Sequence, residues 1–342
     1  MNRIAVLGSA NMDFIVRQPR LPLPGETVFG SGFSIEPGGK GLNQAVAAAR
    51  LGAVVDLLGM VGADPHGEQL RWVLASEGIR DEGLESSFLP TGTAHIAVVD
   101  SGENSIVVVP GATADLSSLS VTQRSQIAAA AFLVLQCELP MTVLAEGLAV
   151  ARAAGVFTVL TPAPAVALPD GLLDLVDLIV PNQLEAAHLT GENDPVRAAE
   201  VLSAGRRWAI VTLSAEGSVV AFDGAVLGLA PARPVRAVDS TAAGDTFVGA
   251  LVARLAAGAP RGRAAGSVVA DADPLPTVGE AGAGGGIGGS AGGAEPLPAA
   301  GITETDMIDA VRWATVASSV SVTRLGSTAS MPTLAEVAAI LS

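Results

Sequence analysis

The sequence predicts an α/β protein built on a mostly parallel sheet, and three observations carry that expectation. Short apolar runs alternate along the chain with longer stretches of helical periodicity. The runs are nearly continuous in apolar residues, as in strands buried on both faces. Polar residues such as Glu138, Asn182 and Thr212 end or follow these runs, and ligands of open α/β sheets bind outside the carboxyl ends of strands.

Taken in order, strands are expected over residues 4–7, 54–58, 132–135, 157–160, 178–180 and 209–212. Helices are expected over 42–51, 67–76, 141–153, 183–189, 196–204, 243–256 and 306–322. Two regions break the rhythm. Residues 14–16 and 28–35 bracket a proline-rich turn, and 94–99 with 105–109 bracket Asp100-Ser101-Gly102-Glu103-Asn104. Both read as exposed extended pairs, about 13–35 and 94–109, able to form a small sheet of their own as a lid or contact surface. Between about 260 and 301 the chain is rich in Gly, Ala and Pro, with nine glycines in the fifteen residues 279–293. This stretch is expected to be a disordered insertion in a single domain spanning 1–342. It follows a helix whose far end lies roughly 20 Å from its start, and so is expected to be remote from the chemistry. Helix resumes at Thr303, which pairs with Asp306 as a capping box.

Composition narrows the classes of function. Apolar residues make up 49% of the 342, but many are alanine, and the longest strongly apolar run, 127–135, is too short to span a bilayer. Asn11 and Asp13 interrupt the opening segment before any secretory cleavage pattern, so a cytoplasmic location is expected. The formal charge of −15 disfavours nucleic acid or anionic membrane as partner. The single cysteine, Cys137, excludes an internal disulfide framework and reads as a buried inert thiol. Three widely separated histidines (His66, His95, His188) lack zinc-ligand spacing. Lys40 is the only lysine among 19 basic residues and sits in Gly38-Gly39-Lys40-Gly41, where flanking glycines suggest close approach to the backbone.

Residues 239–250, Asp-Ser-Thr-Ala-Ala-Gly-Asp-Thr-Phe-Val-Gly-Ala, are the most informative stretch. Ala242, Ala243 and Gly244 precede Asp245, after which apolar residues recur at helical spacing. Small residues at a helix start leave unpaired N–H groups open to an anion. An acid beside that anion suits a base that deprotonates an attacking hydroxyl, the arrangement a kinase of small alcohols needs. The motif alone fits equally well an ordinary helix start with a first-turn Asp favoured by the dipole.

Two further blocks precede it: Gly8-Ser9-Ala10-Asn11-Met12-Asp13 with Pro24-Gly25-Glu26-Thr27, and Gly38-Gly39-Lys40-Gly41-Leu42-Asn43-Gln44-Ala45. In order and spacing, these blocks and the 239–250 motif resemble the ribokinase family, the PfkB-type carbohydrate kinases, over nearly the whole chain except 260–301. The resemblance implies a three-layer α/β/α sandwich with a small β-sheet lid. It also implies transfer of the ATP γ-phosphoryl group to a sugar hydroxyl, the 5-hydroxyl of ribose foremost. By the same resemblance, Asn11, Asp13, Gly39, Lys40, Asn43 and Glu138 would bind the sugar, with Asp245 as base and Ala242, Ala243 and Gly244 as the anion hole. Asn182 and Glu185 would organise hydrated Mg²⁺, and Thr212, Ser214 and Gly217 would contact ATP, with Ser214 standing where the family has glycine. Asp239, Thr241, Ser321, Gly326 and Ser330 would surround K⁺, and the lid strands would pair two copies into a homodimer.

The residues also allow other functions. A kinase of another sugar, a sugar acid or a nucleoside shares the motifs, although a chain with no tyrosine and 3% aromatics offers little for stacking a base. A dinucleotide oxidoreductase fails because Gly8-Ser9-Ala10-Asn11 lacks Gly-x-Gly-x-x-Gly. A sugar-binding regulator without catalysis is disfavoured by the intact Gly244-Asp245 pair.

Overall fold

The structure, a computed structural model, describes residues 2–101, 103–205, 207–258 and 301–342. Apart from Gly301, the expected insertion at 260–301 lies outside the described residues. In chain order the elements are β1 (Arg3–Leu7), β2 (Asn11–Gln18), β3 (Gly32–Gly38), α1 (Lys40–Arg50), β4 (Val54–Gly62), α2 (Pro65–Ser76), β5 (Leu84–Ser87), β6 (Thr93–Val99) and β7 (Asn104–Val109). Next come α3 (Ala112–Asp115), α4 (Val121–Ala128), β8 (Phe132–Gln136), α5 (Met141–Ala154), β9 (Phe157–Thr161), β10 (Leu178–Ile179), α6 (Gln183–Thr190), α7 (Pro195–Ser203) and β11 (Trp208–Thr212). The last are β12 (Ser218–Phe222), β13 (Ala225–Ala230), α8 (Ala243–Gly258), α9 (Glu304–Ser321) and α10 (Leu334–Leu341).

Nine strands form one sheet in the order β13-β12-β11-β10-β9-β8-β1-β4-β5. Pairing is parallel from β11 to β5, and β12 and β13 are added antiparallel at one edge. Successive side chains of a strand point to opposite faces, and β1 shows the consequence. Ile4 and Val6 pack with Val46 of α1, Val248 of α8 and Ala314 of α9. Ala5 and Leu7 pack on the other face with Leu144 and Leu148 of α5 and Ala199 of α7. Two apolar cores separated by one sheet make the three layers that the family resemblance implies. None of the helices among the described residues is long and apolar enough to cross a membrane.

The two irregular regions meet in a separate four-stranded sheet, β3-β2-β6-β7. One boundary is corrected. The strand expected at 28–35 lies at Gly32–Gly38, because pairing with β2 runs from Arg17 opposite Gly32 to Asn11 opposite Gly38. Beyond that pairing, residue 31 makes only a single backbone bond, from its N–H to the Arg17 carbonyl at 2.8 Å. Helix α1 begins at Lys40, two residues earlier than expected, after Gly39 turns the chain at φ 93°.

Candidate active site

The close approach of two helices sets the geometry. A Cβ on Gly249 of α8 would lie 2.5 Å from Ala47 Cβ and 2.6 Å from the Gln44 carbonyl oxygen of α1. Only a glycine lets α8 lie this close, and Asp245 sits one turn earlier on the same helix face. Its carboxylate is therefore pressed against α1, where Asn43 Nδ2 donates to Oδ2 at 3.1 Å and Gln44 Nε2 donates to Oδ1 at 3.0 Å. Asp245 is buried.

Around this clasp the structure gathers more charge. Strand β2 carries Asp13 opposite Glu36 of β3, and a Cβ on Gly38 would collide with the Asp13 carboxyl at 2.2 Å. Burial pushes the Asp13 pKa up to about 7, reinforced by the negative charges of Glu138, Glu36 and Asp245 and opposed by Lys40. Lys40 is held above its ordinary value chiefly by Asp245, against desolvation, with Glu138, Glu185 and Asp13 adding to the effect. Six charged side chains from β2, β3, α1, the β8–α5 connection, α6 and α8 thus share one electrostatic neighbourhood.

Glu138 lies just past the end of β8 and is anchored twice. Ser9 Oγ donates to its carboxylate, and the Lys40 N–H donates to Oε2 at 3.1 Å. Asn11 and Asn43 are buried, and each keeps a side-chain carbonyl oxygen with no hydrogen-bond partner. Buried polar atoms without partners are uncommon and mark acceptors available to a ligand hydroxyl. Cys137 is buried as expected, and burial pushes its thiol up to about 12.

At the start of α8, Ala242 adopts φ 54°, a left-handed conformation rare for alanine. The Ala243 N–H donates to the Ser240 carbonyl at 3.2 Å, and the Ala242 carbonyl accepts from both Thr246 N and Oγ1. The Ala243 carbonyl accepts from Ser318 Oγ at 3.1 Å, tying the tip to α9. The left-handed residue turns the chain sharply into the helix, so first-turn N–H groups project beyond its end.

A second group of predicted residues meets at the ends of β10 and β11. Asn182 and Glu185 cap α6 reciprocally, with 2.8 Å bonds in both directions. Asn182 bridges to Thr212, whose N–H donates to the Pro181 carbonyl at 2.9 Å. Burial raises the Glu185 pKa, against its bond from Asn182 and the Lys40 charge. The following loop closes through Leu213 N–H to the Gly217 carbonyl at 2.7 Å. Within it, Ser214 has φ 53° and Gly217 φ 106°, where a Cβ would lie 2.0 Å from the Ala230 carbonyl oxygen.

Ala230 also lines a cavity of about 420 Å³ between β12, β13 and α9, whose walls include Val220, Leu227, Leu229, Val311 and Thr315. In the third predicted set the Asp239 carboxylate joins Thr241 and Gly326, whereas the Ser321 hydroxyl turns to the Ser318 carbonyl. Asp239 Oδ1 accepts from Thr241 N at 2.9 Å and Oγ1 at 2.6 Å, and its Oδ2 accepts from Gly326 N at 3.0 Å. Burial alone would raise Asp239, but these bonds outweigh it and hold the carboxyl below its usual range. Asp239 N–H donates to the Val322 carbonyl beside Ser321 at 3.2 Å, and Ser330 Oγ donates to the Ser327 carbonyl at 2.7 Å. Ser327 Oγ in turn reaches the Pro37 carbonyl at 3.1 Å.

Four features were absent from the sequence expectations: Gln44, Gln136 and Ser9 as partners of site residues, and the apolar cavity. Gln44 lay in a quoted motif next to Asn43, so its position was visible although its contact was not.

Residues 1–270 match the pfkB family carbohydrate kinase profile. The chain is 42% identical over 263 residues to a ribokinase of Haemophilus influenzae, covering 74% of this chain and 85% of that protein. It is 37% identical over 260 residues to a ribokinase of Bacillus subtilis, covering 75% and 87%. The solved structure of Arabidopsis thaliana ribokinase complexed with ribose and ATP superposes with a TM-score of 0.80 at 25% identity, covering 100% of this chain and 99% of that one.

Proposed function

The chain belongs to the pfkB family of carbohydrate kinases, and we infer that it is an ATP-dependent ribokinase, which transfers the γ-phosphoryl group of ATP to the 5-hydroxyl of D-ribose. The observation that carries this reading is the Asp245 carboxylate at the N-terminal turn of α8, held by two α1 amides in the same charged neighbourhood as Asp13, Lys40 and Glu138. A pentose exposes hydroxyls on every side, and this neighbourhood offers carboxylates and unpartnered amide oxygens to receive them.

In the proposed mechanism Asn11, Asp13, Lys40, Asn43 and Glu138 orient the sugar, and Gly39 lets the ring approach. Asp245 takes the proton of the 5-hydroxyl as that oxygen attacks the γ-phosphorus and the bond to the β-phosphate oxygen breaks. Phosphoryl transfer is loose, so a weak base suffices. The N–H groups of Ala242 and Gly244 receive charge on the transferred group, joined by that of Ala243 once it leaves or shares its 3.2 Å bond to the Ser240 carbonyl. Thr212, Ser214 and Gly217 hold ATP, and the apolar cavity beside Ala230 suits its adenine ring.

Asn182 and Glu185 would hold Mg²⁺ through its water shell, since capping leaves Glu185 Oε1 and the second lone pair of Asn182 Oδ1 to accept from metal-bound waters. Bound there, the metal would neutralise charge on the ATP phosphates. Asp239, Thr241, Ser321, Gly326 and Ser330 would surround K⁺. The Asp239 carboxylate ties the 239–241 loop to Gly326 of the C-terminal segment, and it and the Thr241, Ser321 and Ser330 hydroxyls are hard oxygens of the kind that ion takes.

The four-stranded sheet would close over the sugar and exclude water. Phe33, Ile106 and Val107 of its β3 and β7 strands are exposed, which supports pairing with a second copy through this sheet. The test is ADP release with ribose, other pentoses, hexoses, sugar acids and nucleosides, with and without K⁺. Ribose is expected to give the highest kcat/KM, and a nucleoside or hexose preferred by tenfold or more overturns the substrate assignment.

A further inference from the structure

We propose that Gln44 is a positioning residue for the base Asp245, held in its donating orientation by Gln136; this inference rests on the kinase reading above. Gln136 Nε2 donates to Gln44 Oε1 at 2.7 Å, and Gln44 Nε2 then donates to Asp245 Oδ1 at 3.0 Å. An amide that receives a hydrogen bond at its oxygen has only its NH₂ left to present on the other side. Gln136 therefore decides which end of Gln44 faces the carboxylate. A weaker contact from Gln44 Nε2 to Thr161 Oγ1 at 3.4 Å supports the same orientation.

Both amides are buried, with Gln136 at 0% and Gln44 at 1% exposure. Buried amides are costlier than apolar side chains of similar volume unless their bonds are made. Gln136 leaves its Oε1 without a partner, which adds to that cost. The backbone is also shaped around this pair, for a Cβ on Gly8 would lie 2.1 Å from Gln136 Oε1. An apolar core would fill this space more cheaply, so what the relay supplies is a carboxylate of fixed orientation. With Gln44 on Oδ1 and Asn43 on Oδ2, Asp245 cannot rotate about its last torsion. Its remaining lone pairs point in a set direction towards the acceptor hydroxyl.

The charged groups facing Asp245 are Lys40 of α1, Asp13 of β2 and Glu185 of α6. Helix α9, packed along α8, brings the Ser318 hydroxyl to the Ala243 carbonyl.

The test compares Gln44→Leu, Gln44→Glu and Asp245→Asn in the full-length enzyme. Gln44→Leu is expected to lower kcat roughly tenfold or more while both KM values stay within about threefold. The isosteric Gln44→Glu places a carboxyl against Asp245, and the pair would share a proton near neutrality. Its kcat at saturating ribose is expected to be low at pH 7 and to recover on the alkaline side, moving the acid limb up by about one pH unit or more. Gln44→Leu with kcat within about twofold of wild type overturns the proposal. Should that variant fail to fold, an unshifted pH profile in Gln44→Glu overturns it instead. Asp245→Asn separates the two layers: if it keeps near-normal turnover the base assignment fails, whereas loss there with normal Gln44 variants removes only the positioning role.

Discussion

The sugar side and the nucleotide side of the cleft are built in different ways. On the sugar side, side chains project from regular elements that pack tightly: Asp13 from β2, Asn43 and Gln44 from α1, and Asp245 from α8. Their charges are crowded and partly desolvated, and the Asp13 pKa of about 7 records the strain. On the nucleotide side, a capping box and a short loop present backbone, with Ser214 and Gly217 at positive φ and the Asn182 and Ser214 side chains exposed. The first region invests in side-chain chemistry and the second in backbone shape. Substitutions on the sugar side should therefore change chemistry and sugar affinity, while those on the nucleotide side should act through conformation.

The sharpest break would come from Asp245→Asn, which keeps the shape and removes the base. Its kcat is expected to fall by about 10²–10⁴, with the ATP KM nearly unchanged in steady-state assays. Near-normal turnover would sink the base assignment.

Asp13→Asn should come next, raising the ribose KM by roughly tenfold to a hundredfold without changing the ATP KM, through loss of a charged acceptor. Wild-type kcat/KM for ribose should also decline as pH falls through about 7, the Asp13 value, and this limb should be missing in the variant. Stability supplies an opposite sign. The folded carboxyl keeps its proton to about 7 against an ordinary 3.8, so folding takes up a proton and stability falls as pH rises between these values. Melting temperatures should show Asp13→Asn more stable than wild type at pH 8, with the advantage vanishing near pH 4.

Gly249→Val tests whether helix contact sets the site. Its branches would meet Ala47 and the Gln44 carbonyl, costing about 1–3 kcal/mol in denaturant titrations and lowering kcat as Asp245 moves. Unchanged stability would mean that α1 and α8 are not held as described.

The smallest effect is expected from Ser214→Gly on the nucleotide side. Relief of a left-handed serine should stabilise the protein by about 1 kcal/mol, with at most a modest fall in the ATP KM. A loss of stability would show that the Ser214 side chain contributes more than its backbone costs.

How much could be read in advance follows the same division. The buried strands β1, β8, β9 and β11 were legible as continuous apolar runs, and α8 as a helical period after a small-residue start. Strand β5, Leu-Glu-Ser-Ser, was not legible because its pairing with β4 is what makes it a strand. The β3 boundary was missed because it depends on where β2 ends. Among site residues, Asn43 and Asp245 stood in recognisable motifs 202 positions apart. The partnership of Gln44 with Gln136 leaves no mark in spacing, since the two lie 92 positions apart on separate elements.

Sequence alone determined the alternation of buried strands and amphipathic helices, the residue types that can bind a sugar, and the small-residue turn before Asp245, because these follow from local periodicity and side-chain chemistry. Tertiary structure decided which of those groups touch. The α1–α8 contact at Gly249 clasps the base, convergence of carboxylates raises Asp13, and Asp239 draws Thr241 and Gly326 together. Contact and desolvation depend on distances between segments remote in sequence, and only packing sets those distances.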